Sequence, residues 1–181
     1  MLKEKVKNRI NNLVYTAIFA AIIVACSLIT VPFAVPFTMQ TFGIFFALLS
    51  LGGKRGFYAV LIYTSLGLAG LPVFSGFQGG LAVLFGATGG YVIGFLLASL
   101  EFVLFEKIFG CNFGARVTAA IIGMLICYAA GTAWYALVYM GGTGIGVAMA
   151  MAHCVLPFIL PDIAKIALAF ALCKRTKKYI K

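Results

Sequence analysis

Two side chains of opposite charge, Asp162 and Lys165, stand three residues apart within Pro157-Phe158-Ile159-Leu160-Pro161-Asp162-Ile163-Ala164-Lys165, and no other charged residue occurs between Met149 and Cys173. A charge in such an apolar run is costly, at about 2.5 to 3.5 kcal/mol for Asp or Lys at the centre of a membrane helix on insertion scales. At i and i+3 the two side chains share one helix face, so that each partly neutralises the other or both reach one ligand. Pro161 places the dyad near a helix start or a break, because proline is favoured in the first turn and disruptive farther in. An intramembrane acid–base pair points to a functional site. The bland alternative is a buried ion pair that only fixes packing.

Other chemistries find little support. Ser75 lies in Val73-Phe74-Ser75-Gly76-Phe77, far in sequence from the single histidine, His153, so a serine nucleophile lacks an evident base. His153 reads as an interfacial residue. One histidine and five dispersed cysteines (Cys26, Cys111, Cys127, Cys154, Cys173) do not form a metal-ligand pattern or a disulfide framework. No Gly-x-x-x-x-Gly-Lys phosphate loop is present, so an ATP-driven role requires a partner.

The elements that position the dyad belong to a membrane protein. Of 181 residues, 64% are hydrophobic and 10% charged, against about 25% charged in ordinary soluble domains. The net charge of +10 does not make a nucleic-acid footprint, because the basic residues cluster at the ends of apolar segments. The first cluster, Lys3, Lys5, Lys7 and Arg9, precedes an apolar run of about twenty residues, longer than a signal-peptide core of about 7 to 15.

Hydropathy and punctuation predict a single all-α domain, residues 1–181, with a basic arm (1–12), six membrane spans (13–173) and a basic tail (174–181). The spans are expected at about 13–31, 41–51, 57–71, 81–105, 117–139 and 149–173. The second and third are short for a crossing of about 17 to 25 residues and are expected to recruit flanking residues. Ala17, Ala21 and Ala25 form a stripe of small residues on the first span, fit either for a partner helix or for packing within the chain. Gly86, Gly90 and Gly94 on the fourth and Gly123, Cys127 and Gly131 on the fifth make two more, suited to close helix packing or to a flat ligand. Pro32 to Gln40 reads as an irregular loop folded over a cavity, and Pro72 to Gly80 as the mouth of a site. Gly141-Gly142-Thr143-Gly144-Ile145-Gly146 links the last two spans.

Six spans put both termini on one side. Thirteen of the 14 basic residues then fall on that side, Lys165 being the exception, so the positive-inside rule predicts cytoplasmic termini. Asp162, 11 residues before Cys173, lies about 16 Å from the inner end of its helix at 1.5 Å per residue and is reached most easily from outside.

Several segments together resemble the BioY family, the biotin-binding S components of energy-coupling factor (ECF) transporters. They are Thr38-Met39-Gln40-Thr41, Pro72-Val73-Phe74-Ser75-Gly76 with Gly79-Gly80, Gly89-Gly90-Tyr91 with Gly94-Phe95, Gly131-Thr132-Ala133-Trp134, and Pro157-Phe158 with Pro161-Asp162 and Lys165. Ala87 departs from the family, which usually has proline there, and bears on local helix geometry. The resemblance implies biotin as ligand, no cofactor, no catalysis by this chain, and assembly in the plasma membrane of a bacterial cell with a transmembrane T component and two ATPase subunits. It implies a ligand site of Asp162, Lys165, Tyr91, Gly89, Gly90, Gln78, Phe74, Gln40 and Trp134, and a docking role for Ala17, Ala21 and Ala25. Lys165 then meets either the ureido oxygen or the tail carboxylate of biotin. The competing classes are a self-sufficient proton-coupled transporter using Asp162 as a relay, and a structural membrane subunit without ligand.

Overall fold

The structure is a computed structural model and describes residues 2–32, 35–139, 151–152, 155–176 and 178. The 141–146 linker, His153, Cys154 and the first residues of the predicted sixth span, 149–150, lie outside the described residues. Six helices of twelve residues or more occur among them: α1 (Leu2–Leu28), α2 (Gln40–Leu51), α3 (Gly53–Leu68), α4 (Gly89–Phe109), α5 (Phe113–Trp134) and α6 (Ile159–Thr176).

Helix α1 turns Thr16, Phe19, Ala20, Ile23, Cys26 and Ser27 inward. Ala17, Ala21 and Ala25 lie on its exposed face, so the alanine stripe takes no part in the core. After α1 the chain makes a short antiparallel hairpin, β1 (Thr30–Val31) with β2 (Phe37–Thr38), where an irregular loop is expected from the sequence. Pro32 and Pro36 fall between the paired residues, so neither removes a donor from the ladder.

Helix α2 is the central element and almost wholly buried. At 12 residues it is about 18 Å long, too short to cross a hydrocarbon core of about 30 Å alone. It breaks from α3 at Gly52, whose φ of 81° is a left-handed conformation that favours glycine. The junction is pinned by charge. The Gly53 N–H donates to the Glu106 carboxylate (2.6 Å), Glu106 pairs with Arg116 (2.9 Å), and Arg116 donates to the Leu49 carbonyl (3.0 Å). Arg55 donates to Asn12 (2.9 Å), the Cys173 thiol meets the Leu49 carbonyl, and Lys174 lies over the Phe113 ring. These contacts gather the basic connections and the end of α6 at one end of the bundle. The hairpin and the 72–80 loop lie at the other.

The fourth helix starts at Gly89, eight residues later than predicted, and Leu81–Phe85 form a separate short 3-10 segment. Gly86 is extended and so drops out of the predicted glycine ridge, glycine being a poor helix former. The remaining small residues of α4 and α5 face one another. A side chain at Gly94 would meet the Cys127 backbone (3.1 Å), one at Gly123 the Ala98 methyl (3.3 Å), and one at Gly131 would run into the Tyr91 ring. Asn112 caps α5 by accepting from the Ala115 N–H (2.7 Å), and α5 continues into one π-helical turn, Tyr135–Tyr139. Helix α6 begins at Ile159, where Pro157 has just interrupted regular helix, and holds Pro161 and Asp162 in its first turn.

The outward faces are apolar: Leu97, Leu100, Leu104, Ile121, Leu125 and Ile163 are all exposed. Segments Lys3–Leu28 and Phe113–Val138, each of 26 residues and each containing an 18-residue stretch with a mean hydropathy of 1.8, are long and apolar enough to cross a bilayer.

Candidate functional site

Helix α6 presents Asp162 and Lys165 toward α2, the face its own i, i+3 spacing selects, and both are buried, at 3% and 5% exposure. The Lys165 ammonium lies 2.8 Å from Asp162 Oδ1, 2.6 Å from the Thr38 backbone carbonyl and 3.2 Å from the Thr41 hydroxyl. An ammonium has three protons, so these acceptors account for all of them. The Phe37 ring also lies 4.0 Å from the ammonium nitrogen. Asp162 is equally engaged: Oδ1 also accepts from the Thr41 hydroxyl (3.1 Å), and Oδ2 accepts from the Tyr128 hydroxyl (2.7 Å). The hydrogen bonds offset a desolvation penalty that in proteins amounts to several kcal/mol per ion. Phe37 also stacks on Phe158 at 6.2 Å, so the hairpin is held to the start of α6 by a hydrogen bond, a cation–π contact and a ring pair.

Above the dyad opens a cavity whose empty space, open solvent at its mouth included, is about 610 Å³. Phe74, Tyr91, Phe95 and Phe158 provide aromatic walls, Val35, Pro36, Val92, Met124 and Cys127 aliphatic and thiol surface, and Thr38, Gln40, Thr41, Ser75, Thr88, Tyr128, Asp162 and Lys165 the polar groups. Such a site suits a small ligand with an apolar body and one compact polar end offering donors and an acceptor. The Phe74 wall is set by a close approach: its ring lies on Gly67, where any side chain would displace it, and meets Tyr63 edge-on at 5.6 Å.

Of the residues singled out in the sequence, Asp162, Lys165, Tyr91, Phe74 and Gln40 line this cavity. Gly89, Gly90, Gln78 and Trp134 do not. Gly89 starts α4 against the Leu84 carbonyl, and Gly90 packs on Trp134 and Ala130 of α5. Gln78 is exposed, and its backbone carbonyl accepts from the Phe74 N–H (3.0 Å). The Trp134 indole N–H is buried with no hydrogen-bond partner among the described residues. Thr38, Thr41, Ser75, Phe95 and Phe158 line the cavity and stand inside motifs that the sequence already marked, and Thr88 immediately precedes one of them. Tyr128 stands in none, and only its place one turn from Met124 and Thr132 sets it on a buried face.

The BioY family model matches residues 2–181. A probable biotin transporter BioY from Pyrococcus horikoshii is 41% identical over 142 residues, covering 78% of this chain and 80% of that protein. The biotin transporter BioY of Thermotoga maritima is 38% identical over 138 residues, covering 76% of this chain and 69% of that one. A solved structure, the S-component for biotin from an ECF-type ABC transporter, superposes with a TM-score of 0.84 at 27% identity, over 95% of this chain and 93% of the other.

Proposed function

The chain belongs to the BioY family, and from that premise we propose that it is a membrane-embedded biotin-binding S component that captures the vitamin for import. The observation that carries this reading is the desolvated Asp162–Lys165 pair at the base of an aromatic cavity, backed by Tyr128 and Thr41. The ureido ring of biotin has two N–H donors and one carbonyl acceptor, which complements a carboxylate beside an ammonium. In this assignment Asp162 accepts from a ureido N–H and Lys165 donates to the ureido oxygen. The ligand replaces the longest of the Lys165 contacts, that to Thr41 at 3.2 Å. The bicyclic body then lies among Phe74, Tyr91, Phe95 and Phe158.

The finer features belong to the same reading. Six spans cross the plasma membrane with both termini cytoplasmic, so the cavity opens outward. Support comes from the gathering of Asn12, Lys54-Arg55, Glu106, Arg116 and Lys174 at the end opposite the cavity. A transmembrane T component and two ATPase subunits supply ATP-driven release. The exposed Ala17, Ala21 and Ala25 are where the partner helix approaches, since small side chains let backbones come close. Titration of the purified protein with biotin tests the reading: saturable binding is expected, and its absence would overturn it.

A further inference from the structure

The Thr41 hydroxyl bridges the two charges of the dyad, and its proton has only one place to go. An ammonium can only donate and an ionised carboxylate can only accept. The Thr41 oxygen therefore accepts from Lys165 (3.2 Å), and its proton is given to Asp162 Oδ1 (3.1 Å). One acceptor and one donor set against an ammonium and a carboxylate 2.8 Å apart is the pattern that a carbonyl beside an N–H presents on the edge of a ureido ring. The hydroxyl and such a ligand call for the same two partners.

The distances and the freedom of each group say which bonds give way. Lys165 lies 2.6 Å from the Thr38 carbonyl and Asp162 Oδ2 lies 2.7 Å from the Tyr128 hydroxyl, so the two Thr41 bonds are the longest that the dyad makes. Thr38 is main chain, fixed by its pairing with Thr30 in the hairpin, whereas the Thr41 hydroxyl turns about a single bond. Thr41 also lines the cavity from which the ligand arrives.

We infer that Thr41 is a placeholder for the polar end of the ligand: its hydroxyl satisfies the dyad before capture, yields to the ligand on entry, and so holds the affinity below what the dyad alone would give. The inference rests on the biotin reading and gives Thr41 a part in tuning capture and release rather than in holding the vitamin. A site that must first give up an internal partner binds more weakly by the cost of that step, and a substitution that removes the partner restores the difference.

The test is calorimetric titration of detergent-purified Thr41→Val and Thr41→Ser with biotin, with thermal unfolding of each in the absence and presence of saturating biotin. Thr41→Val removes the hydroxyl and nearly keeps the shape, and should bind biotin about three- to tenfold more tightly than the unaltered protein, the scale of one net hydrogen bond. Thr41→Ser, which keeps the hydroxyl, should bind like the unaltered protein. Without biotin, Thr41→Val should unfold at a lower temperature than the unaltered protein, and biotin should raise that temperature by more. A threonine that served folding alone would lower the unfolding temperature equally with and without biotin and leave the affinity unchanged. Where Thr41→Val does not purify, Thr41→Ala takes its place with the same expected direction. Unchanged or weaker binding in the folded variant without the hydroxyl would overturn the inference while leaving biotin binding intact. Failure of the unaltered protein to bind biotin would overturn the biotin reading and the inference with it.

Discussion

Removing the charges of the dyad one at a time and then together separates a ligand site from a structural ion pair. In Lys165→Met, Asp162 keeps the Tyr128 and Thr41 hydroxyls but loses its cationic partner at 2.8 Å. A buried charge left in that condition destabilises a fold by about 3 to 5 kcal/mol. Asp162→Asn should be milder for the fold, since Lys165 retains the Thr38 carbonyl, the Thr41 hydroxyl and the Phe37 ring. The double variant carries neither charge and should regain part of the stability lost in Lys165→Met, because the two sites touch and their effects do not add. Biotin affinity should follow a different order. Each single change removes a desolvated polar contact worth about 2 to 5 kcal/mol, or roughly 30-fold to several-thousand-fold in dissociation constant, and the double variant should stay weak. Thermal unfolding and calorimetry on the monodisperse fraction read the two quantities separately. Unchanged affinity in either single variant, or a double variant that binds like the unaltered protein, would refute the assignment of the pair to the ligand.

Three further expectations follow from the same geometry. A cysteine placed at position 54 in a cysteine-free variant should resist an impermeant thiol reagent in intact cells and react after lysis, because Lys54 belongs to the basic end of the bundle; labelling in intact cells would invert the topology. Ala21→Leu should weaken co-purification with the T component and transport while leaving biotin affinity unchanged, since Ala21 is exposed on α1 and remote from the cavity. Loss of biotin binding with assembly intact would contradict that role. Gly131→Ala should drive the Tyr91 ring out of place, costing about 1 to 3 kcal/mol as overpacking does and weakening biotin binding without touching the ligand; thermal unfolding and titration unchanged from the parent would show that the α4–α5 contact is looser than described.

Local properties of the sequence were sufficient for the broad architecture. Apolar runs punctuated by Pro32 and Pro72 marked the helices, and clustered lysines and arginines marked one end, because these signals depend on composition and near-neighbour spacing. The dyad was legible for the same reason, as i, i+3 spacing fixes a shared helix face without reference to any other element. The fourth helix was placed too early, its start being at Gly89, since hydropathy does not distinguish an apolar loop from the helix it leads into.

What surrounds the dyad was decided only by the tertiary structure. Tyr128 reaches Asp162 across 34 residues and Thr41 across 121, and such meetings depend on how far each helix is rotated about its axis and how closely it approaches its neighbour. The same rotation turns Ala17, Ala21 and Ala25 outward while Gly90, Gly94, Gly123 and Gly131 face each other across α4 and α5. A stripe of small residues has one pattern in sequence and either destiny in the fold. The Ser27 hydroxyl bond to the Val73 carbonyl is likewise a tertiary property: the carbonyl is delivered from a loop 46 residues beyond Ser27, and no spacing rule relates the two.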